Sequence, residues 1–261
     1  MKTIILAGGF GTRLSEETDV RPKPMVEIGS KPLLWHLMNL YSSYGFNDFV
    51  VALGYKQEAI KGYFRAFYEH SHDLSIDLSN GTISVRERQA ERWRIDLIDT
   101  GLQTKTGERI SKLRDVVGKS TFMCTYGDGL ASVDIEELVA FHRREGRVAT
   151  LTAVHPPARF GALEIEGSRV KAFEEKPQMS EGWINGGFFV FEPELFDFMK
   201  SDEMLEHGAL PRLAESGQLS CFQHPGFFQP MDTLRDKRLL EELWASGRAP
   251  WLLRGATSNL A

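Results

Sequence analysis

Apolar and polar positions follow two periods along this chain, and the places where one gives way to the other mark its elements. The first apolar run, "TIILA" from Thr3 to Ala7, has the length of a buried strand. It empties into a glycine-rich loop. Lys31-Pro32 then opens a stretch in which Leu33, Leu37, Leu40, Tyr41 and Tyr44 recur at helical spacing. Proline suits the first turn of a helix, and Gly45 ends it. "DFVVAL" predicts a second strand, and the stretch from about Gln57 to Tyr68 a second helix. Strand, helix, strand, helix is the pattern of a parallel sheet covered by helices.

"LSIDL", "TISVRER" and "RIDLIDT" alternate as strands do. "TGERISKLRDVVG" predicts a helix starting near Thr106, and "TFMCTYGDG" an apolar strand that runs into an acid. Asp134 is placed to cap the helix "IEELVAFHRREG", and "VATLTAVH" is a further strand. After Pro156 the texture becomes β-rich. "GALEIEGSRVKAFEEKP" predicts two short strands with a tight turn at Glu166–Ser168, and "WINGGFFVFEP" an aromatic strand. A helix is expected from Pro193, another around Leu210 to Ser216, and a closing one over "LRDKRLLEELWASG". "LSCFQHPGFFQPMDT" supplies a strand and a loop, while "LLRGATSNLA" carries no firm signal. With no internal repeat and no low-complexity linker, the expectation is a single α/β domain over residues 1–261. Its mixed, mostly parallel sheet would be Rossmann-like and flanked by helices, with a β-rich elaboration after residue 156.

Composition changes this picture little. A net charge of −5 over 261 residues argues against a nucleic-acid binder, although a local cationic pocket is compatible with it. No apolar run approaches the ~20 residues of a membrane helix. The N-terminus lacks a charged lead and a long apolar stretch, so no signal peptide is expected and the location reads as cytoplasmic. Cys124 and Cys221 lie in apolar company and read as reduced, buried and inert. The seven histidines are scattered and none is given chemistry. Phe188, Phe189, Phe191, Phe227 and Phe228 read as core.

The candidate chemistry begins at "LAGGFGTRL". The dinucleotide fingerprint GxGxxG fails, because its third glycine is Leu14, and no Gly-Lys-Ser/Thr of a phosphate loop occurs. Gly8, Gly9 and Gly11 would still let backbone N–H groups approach a polyphosphate. Arg13 offers a planar cation, and Lys23 sits between Pro22 and Pro24, which stiffen its backbone. From the residues alone, a structural turn followed by a proline-rich loop stays open as the alternative. Asp128, in "YGDG" at a strand end, is either a turn residue or a cation ligand. Asp232, in "QPMDT", is either the cap of the closing helix or a second ligand. Lys176, beside Glu174 and Glu175 in "FEEKP", is either part of a solvated charge cluster or an anion grip. "TKTGER" is either a mobile loop or, through Arg109 near a helix start, an anion contact.

"LAGGFGTRL", "RPKPM" and "GSKP" together resemble the N-terminal signature of the sugar-phosphate nucleotidyltransferases. Most of these have a proline after the "GTRL" stretch, where this chain has "LSEET". Within that family the likeness is to the glucose-1-phosphate cytidylyltransferases. It extends through "TYGDG", "PPARFGALEI", "EEKP", "INGGFFVF", "HPGFFQPMDTLRDK" and "APW", nearly the whole chain in order.

The resemblance implies transfer of a cytidylyl group from CTP to α-D-glucose 1-phosphate, with Mg²⁺ held by Asp128 and Asp232. It implies nucleotide contacts from Leu6, Ala7, Gly8, Gly9, Phe10, Gly11, Thr12, Arg13, Lys23, Thr104, Arg109 and Gly127. Lys176 would grip the sugar phosphate. Glu175 and Asn185 would bond sugar hydroxyls, and Gly161, Gly186 and Gly187 would leave the sugar room. Residues 1–155 would mainly bind nucleotide, residues 156–250 would mainly bind sugar phosphate and close the fold, and 251–261 would be a tail. A homo-oligomer is implied, a hexamer in the cytidylyltransferases, as is a place in making deoxysugars for bacterial surface polysaccharides. Preference for CTP rests on the resemblance alone. Another nucleotide such as dTTP, UTP or GTP, another sugar 1-phosphate, or a non-catalytic nucleotide-sugar sensor stay open. The missing third glycine disfavours a nicotinamide-dependent dehydrogenase.

Overall fold

A computed structural model describes residues 1–11, 14–86, 91–157, 162–166, 169–174 and 182–252. Its centre is a seven-stranded sheet. The strands are β1 (Lys2–Leu6), β2 (Asp48–Leu53), β3 (Arg94–Asp99), β4 (Phe122–Tyr126), β5 (Ala149–Val154), β6 (Ile184–Phe191) and β7 (Leu219–His224). Their spatial order is β7-β5-β6-β4-β1-β2-β3. β6 runs antiparallel to both of its neighbours, β5 and β4, and every other pairing in the sheet is parallel. This is the mixed, mostly parallel α/β sheet that the sequence pattern predicts, and strands from before and after residue 156 share it.

The central strands are apolar on both faces because both faces are covered. Ile5, Val51 and Met123 point to the side packed by the helices α1 (Leu33–Ser43), α2 (Gln57–His70), α3 (Ile135–Glu145) and α4 (Leu234–Ala245). Their neighbours Ile4, Val50 and Cys124 point to the other side, which Ile110, Leu113, Leu195 and Leu213 cover. The period-2 alternation therefore sorts one strand's residues between two cores.

Several expectations are refined. "TGERISKLRDVVG" breaks into two short helices, Thr106–Ser111 and Arg114–Val117. Ile110, Leu113 and Val117 still face the sheet across the break. The segment from Pro193 is a tight 3₁₀ turn, Pro193–Phe198. Of the three strands expected between residues 74 and 100, only β3 joins the sheet. Asp73–Asp77 and Thr82–Arg86 pair with each other as a separate hairpin. Ala162–Glu166 and Arg169–Glu174 form the expected β-pair, while the turn residues 167–168 lie outside the described residues. Asp134 caps α3 by accepting the Glu137 N–H at 2.8 Å.

Cys124 is buried as expected, but Cys221 is exposed. β7 is an edge strand whose alternation turns Ser220 and Phe222 inward and Cys221 outward.

The segment after α4 also departs from the tail expected there. Trp251 is buried, and its indole N–H donates to Nδ1 of the buried His36 at 3.2 Å. With Nδ1 accepting, Nε2 carries the proton and donates to the Ile28 carbonyl at 2.9 Å. Burial pulls the His36 pKa from 6.5 down to about 4, and Lys31 adds to this effect against the hydrogen bond to Ile28. The folded state therefore holds His36 neutral where the unfolded chain would protonate it. The stability this contributes is complete above pH 6.5 and is lost as pH falls to about 4. Urea unfolding should show that loss as about 3 kcal/mol, since each tenfold change in proton affinity is worth about 1.4 kcal/mol. A His36→Gln variant, which cannot titrate, should reduce the slope, leaving the part due to His142 and His224, whose pKa values burial also lowers; an unchanged slope would assign the acid sensitivity elsewhere.

Candidate active site

β1 has β2 on one side and β4 on the other, so the chain leaves the sheet in two directions at its carboxyl edge, where open α/β sheets place their ligands. The loop after β1 is pinned there by backbone bonds. Ala7 N–H donates to the Ala52 carbonyl at 3.1 Å, and Gly127 N–H, from the turn after β4, to the Leu6 carbonyl at 3.0 Å. These loops line a cavity of about 740 Å³. Leu6, Ala7, Gly8, Gly9, Phe10 and Gly11 form one wall; Lys23, Gly127, Asp128 and Asp232 line the same space, as do Thr104, Arg109 and Asn185.

Asp128 and Asp232 meet through a small sheet that sequence spacing does not reveal. Gly129–Ala131 pairs antiparallel with Phe228–Pro230, and Met231 N–H donates to the Asp128 carbonyl at 2.8 Å. Lys23 lies in the 3₁₀ turn Lys23–Met25, begun by Pro22. Its ammonium is 2.9 Å from Asp128 Oδ2 and 2.5 Å from Asp232 Oδ1. Lys23 and Asp232 are buried, whereas the Asp128 side chain is 39% exposed. The capping alternative for Asp232 fails. Thr233 is the N-cap of α4, bonded reciprocally with Asp236 in a capping box. The Asp232 carboxylate is left to face Lys23.

Arg109 is placed differently from the expectation. It lies in the last turn of its short helix rather than near the start. Its guanidinium is buried and donates to five oxygens: the carbonyls of Gly8, Leu53, Gly101 and Leu102 and the Thr100 hydroxyl, at 2.7–3.2 Å. Burial pulls its pKa below the usual arginine value, with Asp99 and Glu108 opposing. The bareness of Gly8 serves this arginine, since a Cβ there would sit 2.3 Å from its guanidinium carbon. Gly9, by contrast, faces open space. Thr104 donates to the Thr100 carbonyl at 2.6 Å, which ties "TKTGER" to the same loop.

On the far side of the cavity Asn185 is the second residue of β6, with Oδ1 accepting the Gly187 N–H at 2.9 Å. The room at Gly187 is taken by a protein ring: a Cβ there would lie 2.3 Å from Tyr126 Cδ2, and its φ of +78° favours glycine as well. A Cβ at Gly186 would meet Val154 at 2.6 Å. Tyr126 and Glu206 line the cavity, and sequence reasoning missed both. Tyr126 could have been flagged by its place at the end of β4, two residues before Asp128; nothing in "DEMLEHG" marks Glu206. Thr12, Arg13, Gly161, Glu175 and Lys176 lie outside the described residues.

Comparison with known proteins sets this geometry among relatives. Residues 2–226 match the nucleotidyl transferase family. The chain is 49% identical over 253 residues to the glucose-1-phosphate cytidylyltransferase of Salmonella typhi, covering 96% of this chain and 98% of that one. The chain belongs to the nucleotidyl transferase family. It is an enzyme, and its reaction is nucleotidyl transfer. Among solved structures, HddC from Yersinia pseudotuberculosis complexed with GMP-PN superposes with a TM-score of 0.68 at 22% identity, covering 93% of this chain and 99% of that one. A UDP-glucose pyrophosphorylase complexed with UDP-glucose gives 0.66 at 15% identity, covering 95% and 99%. At those identities the likeness is one of fold.

A nucleotidyl transferase handles polyphosphates, so the fit of a divalent ion can be judged from the donor set. Two carboxylates already converge on one cation, the Lys23 ammonium. Hard oxygen donors of this kind suit magnesium, which commonly takes one or two carboxylates and completes its shell with water and substrate phosphate. Among the described residues no group of three or more His, Cys, Asp or Glu could hold a metal. The Asp128 and Asp232 carboxylates fit an ion of this kind.

Arg109→Lys tests the loop anchor. A lysine keeps the charge but bonds from one nitrogen and cannot span five acceptors. Leaving buried carbonyls unmatched should cost roughly 2–4 kcal/mol in chemical denaturation and raise KM for the nucleoside triphosphate. Wild-type stability in this variant would refute the anchoring role.

Proposed function

We propose that this nucleotidyl transferase joins CTP and α-D-glucose 1-phosphate, giving CDP-glucose and pyrophosphate. The observation that carries the reading is the meeting of Lys23, Asp128 and Asp232 on the wall of a cavity built from the glycine loop. The glucose-1-phosphate cytidylyltransferase from Salmonella typhi, 49% identical over 96% of this chain, supports the choice of CTP and of the sugar.

A phosphate oxygen of the sugar 1-phosphate attacks the α-phosphorus of CTP in line, and the bond from that phosphorus to the oxygen bridging to the β-phosphate breaks. Pyrophosphate leaves opposite the attacking oxygen. The nucleophile is already an anion, so no general base is needed, and the barrier lies in bringing two anions together. Magnesium bound at Asp128 and Asp232 would supply charge neutralisation and Lewis-acid polarisation of the α-phosphate. The chain's own residues supply the rest. Without an ion, two carboxylates and one ammonium leave this cluster one negative charge in excess, which opposes a polyphosphate at that point. The Lys23 ammonium, which lines the same cavity, would hold the nucleotide phosphates. Gly9 leaves its backbone open to the same phosphates. Arg13 is assigned to the leaving pyrophosphate, Lys176 to the incoming phosphate, and Glu175 and Asn185 to the sugar hydroxyls.

Pyrophosphate release should be detected with CTP and glucose 1-phosphate, should exceed that with dTTP, UTP or GTP, and should stop on chelation by EDTA. Asp128→Asn should fold normally and lose about 10²–10³ in kcat, the scale for removing one preorganised charge contact. Strong turnover with dTTP and none with CTP would refute the nucleotide assignment, and wild-type rates in Asp128→Asn the metal assignment. Nucleotide binding by the wild type with no turnover of any sugar 1-phosphate would favour the sensor.

The reading extends to a symmetric homo-oligomer of six subunits working in the cytoplasm on precursors of surface polysaccharide. The hairpin Asp73–Asp77/Thr82–Arg86 supports assembly, because it exposes Leu74, Ile76, Ile83 and Val85 together. Sedimentation velocity should return a hexamer in the wild type and a smaller species when Ile76 and Ile83 are changed to Lys; a monomeric wild type would remove this part of the reading.

A further inference from the structure

Asn185 is the end of a hydrogen-bonded chain whose direction is set at its other end. Leu205 N–H donates to Thr106 Oγ1 at 2.9 Å, and the Thr106 hydroxyl donates to Glu206 Oε2 at 2.7 Å. A carboxylate only accepts, so the proton between Glu206 and the Tyr126 hydroxyl belongs to the tyrosine. Burial raises the Tyr126 pKa, and the negative charge of Glu206 raises it further, so that proton stays in place. With its proton committed to Glu206, the Tyr126 oxygen is left to accept, and it takes the Asn185 Nδ2–H at 3.3 Å. The Gly187 N–H fixes the other side of the same amide by donating to Oδ1 at 2.9 Å. The amide of Asn185 therefore has one allowed face. Thr106, Tyr126, Asn185 and Glu206 line the cavity that also holds Asp128 and Asp232.

We propose that Glu206, acting through Tyr126, is the positioning residue that fixes which face of the Asn185 amide meets a sugar hydroxyl, and that this sets the discrimination among hexose 1-phosphates. The proposal rests on the sugar 1-phosphate reading of the cavity. It gives Tyr126 and Glu206 a role that their distance in sequence from "INGG" does not suggest. Loss of either link leaves the Gly187 N–H as the one remaining hold among the described residues, and each turnover of the loosened amide exchanges an N–H donor for a carbonyl acceptor where a hydroxyl of one configuration is read.

The test is steady-state kinetics of the full chain with glucose, galactose and mannose 1-phosphates, for the wild type, Tyr126→Phe, Glu206→Ala and the double variant. Each single variant should raise KM for glucose 1-phosphate about tenfold, the equivalent of one hydrogen bond, with KM for CTP within about twofold of wild type. Preference for glucose over its epimers, read as kcat/KM, should shrink by a similar factor. The double variant should be no worse than either single one, because both changes cut the same chain. Glu206→Asp should recover part of the preference if the carboxylate is what matters. Preference unchanged in both single variants of an active enzyme, or an equal rise in KM for CTP and for sugar, would overturn the proposal alone. A wild type that turns over no hexose 1-phosphate would overturn it together with the reading beneath it.

Discussion

The ammonium of Lys23, held between the carboxylates of Asp128 and Asp232, is the contact on which the rest of the site depends. It joins a turn near the start of the chain, the end of a central strand and the approach to the last described helix. Two carboxylates this close would repel one another, so their meeting requires a cation, and in this state the protein supplies its own. The carboxylates are thereby aimed at one point and partly desolvated.

Arg109 does for the pocket wall what Lys23 does for the acids. Three loops turn carbonyl oxygens into one small volume, and a single guanidinium satisfies them. Carbonyl dipoles pointing inward would otherwise oppose an anionic ligand. Capping them with a buried positive charge offsets those dipoles. The glycine loop follows from this: Gly8 is bare so that the arginine can pass, while Gly9 is bare toward the cavity.

Much of this was legible along the chain. The alternation of β1, β2 and β4 with helices is written in apolar periods, and Asp134 starts one helix and Gly45 follows the end of another where local chemistry says they should. The acids at 128 and 232 could be named because each follows a strand and the motifs resemble those of a known family. Other residues were not legible. Cys221 sits in apolar company, and only the edge position of β7 turns it outward. Trp251 follows a proline and precedes a stretch with no pattern, yet it is buried against His36, far away in sequence. Arg109 reads as a loop cation until the carbonyls around it are seen.

Local sequence determined which segments would be strand or helix, where they would stop and which side of each would be apolar, because propensity, capping and periodicity act over a few residues. It also determined which acids, lysines and glycines would be on offer. The tertiary structure alone decided which of them face one another. The Gly129–Ala131 and Phe228–Pro230 pairing brought the two aspartates together, and the passage of Tyr126 over Gly187 tied Glu206 to Asn185. Such contacts depend on register and on the sheet's strand order, which are settled by the packing of the whole core rather than by any stretch of chain read alone.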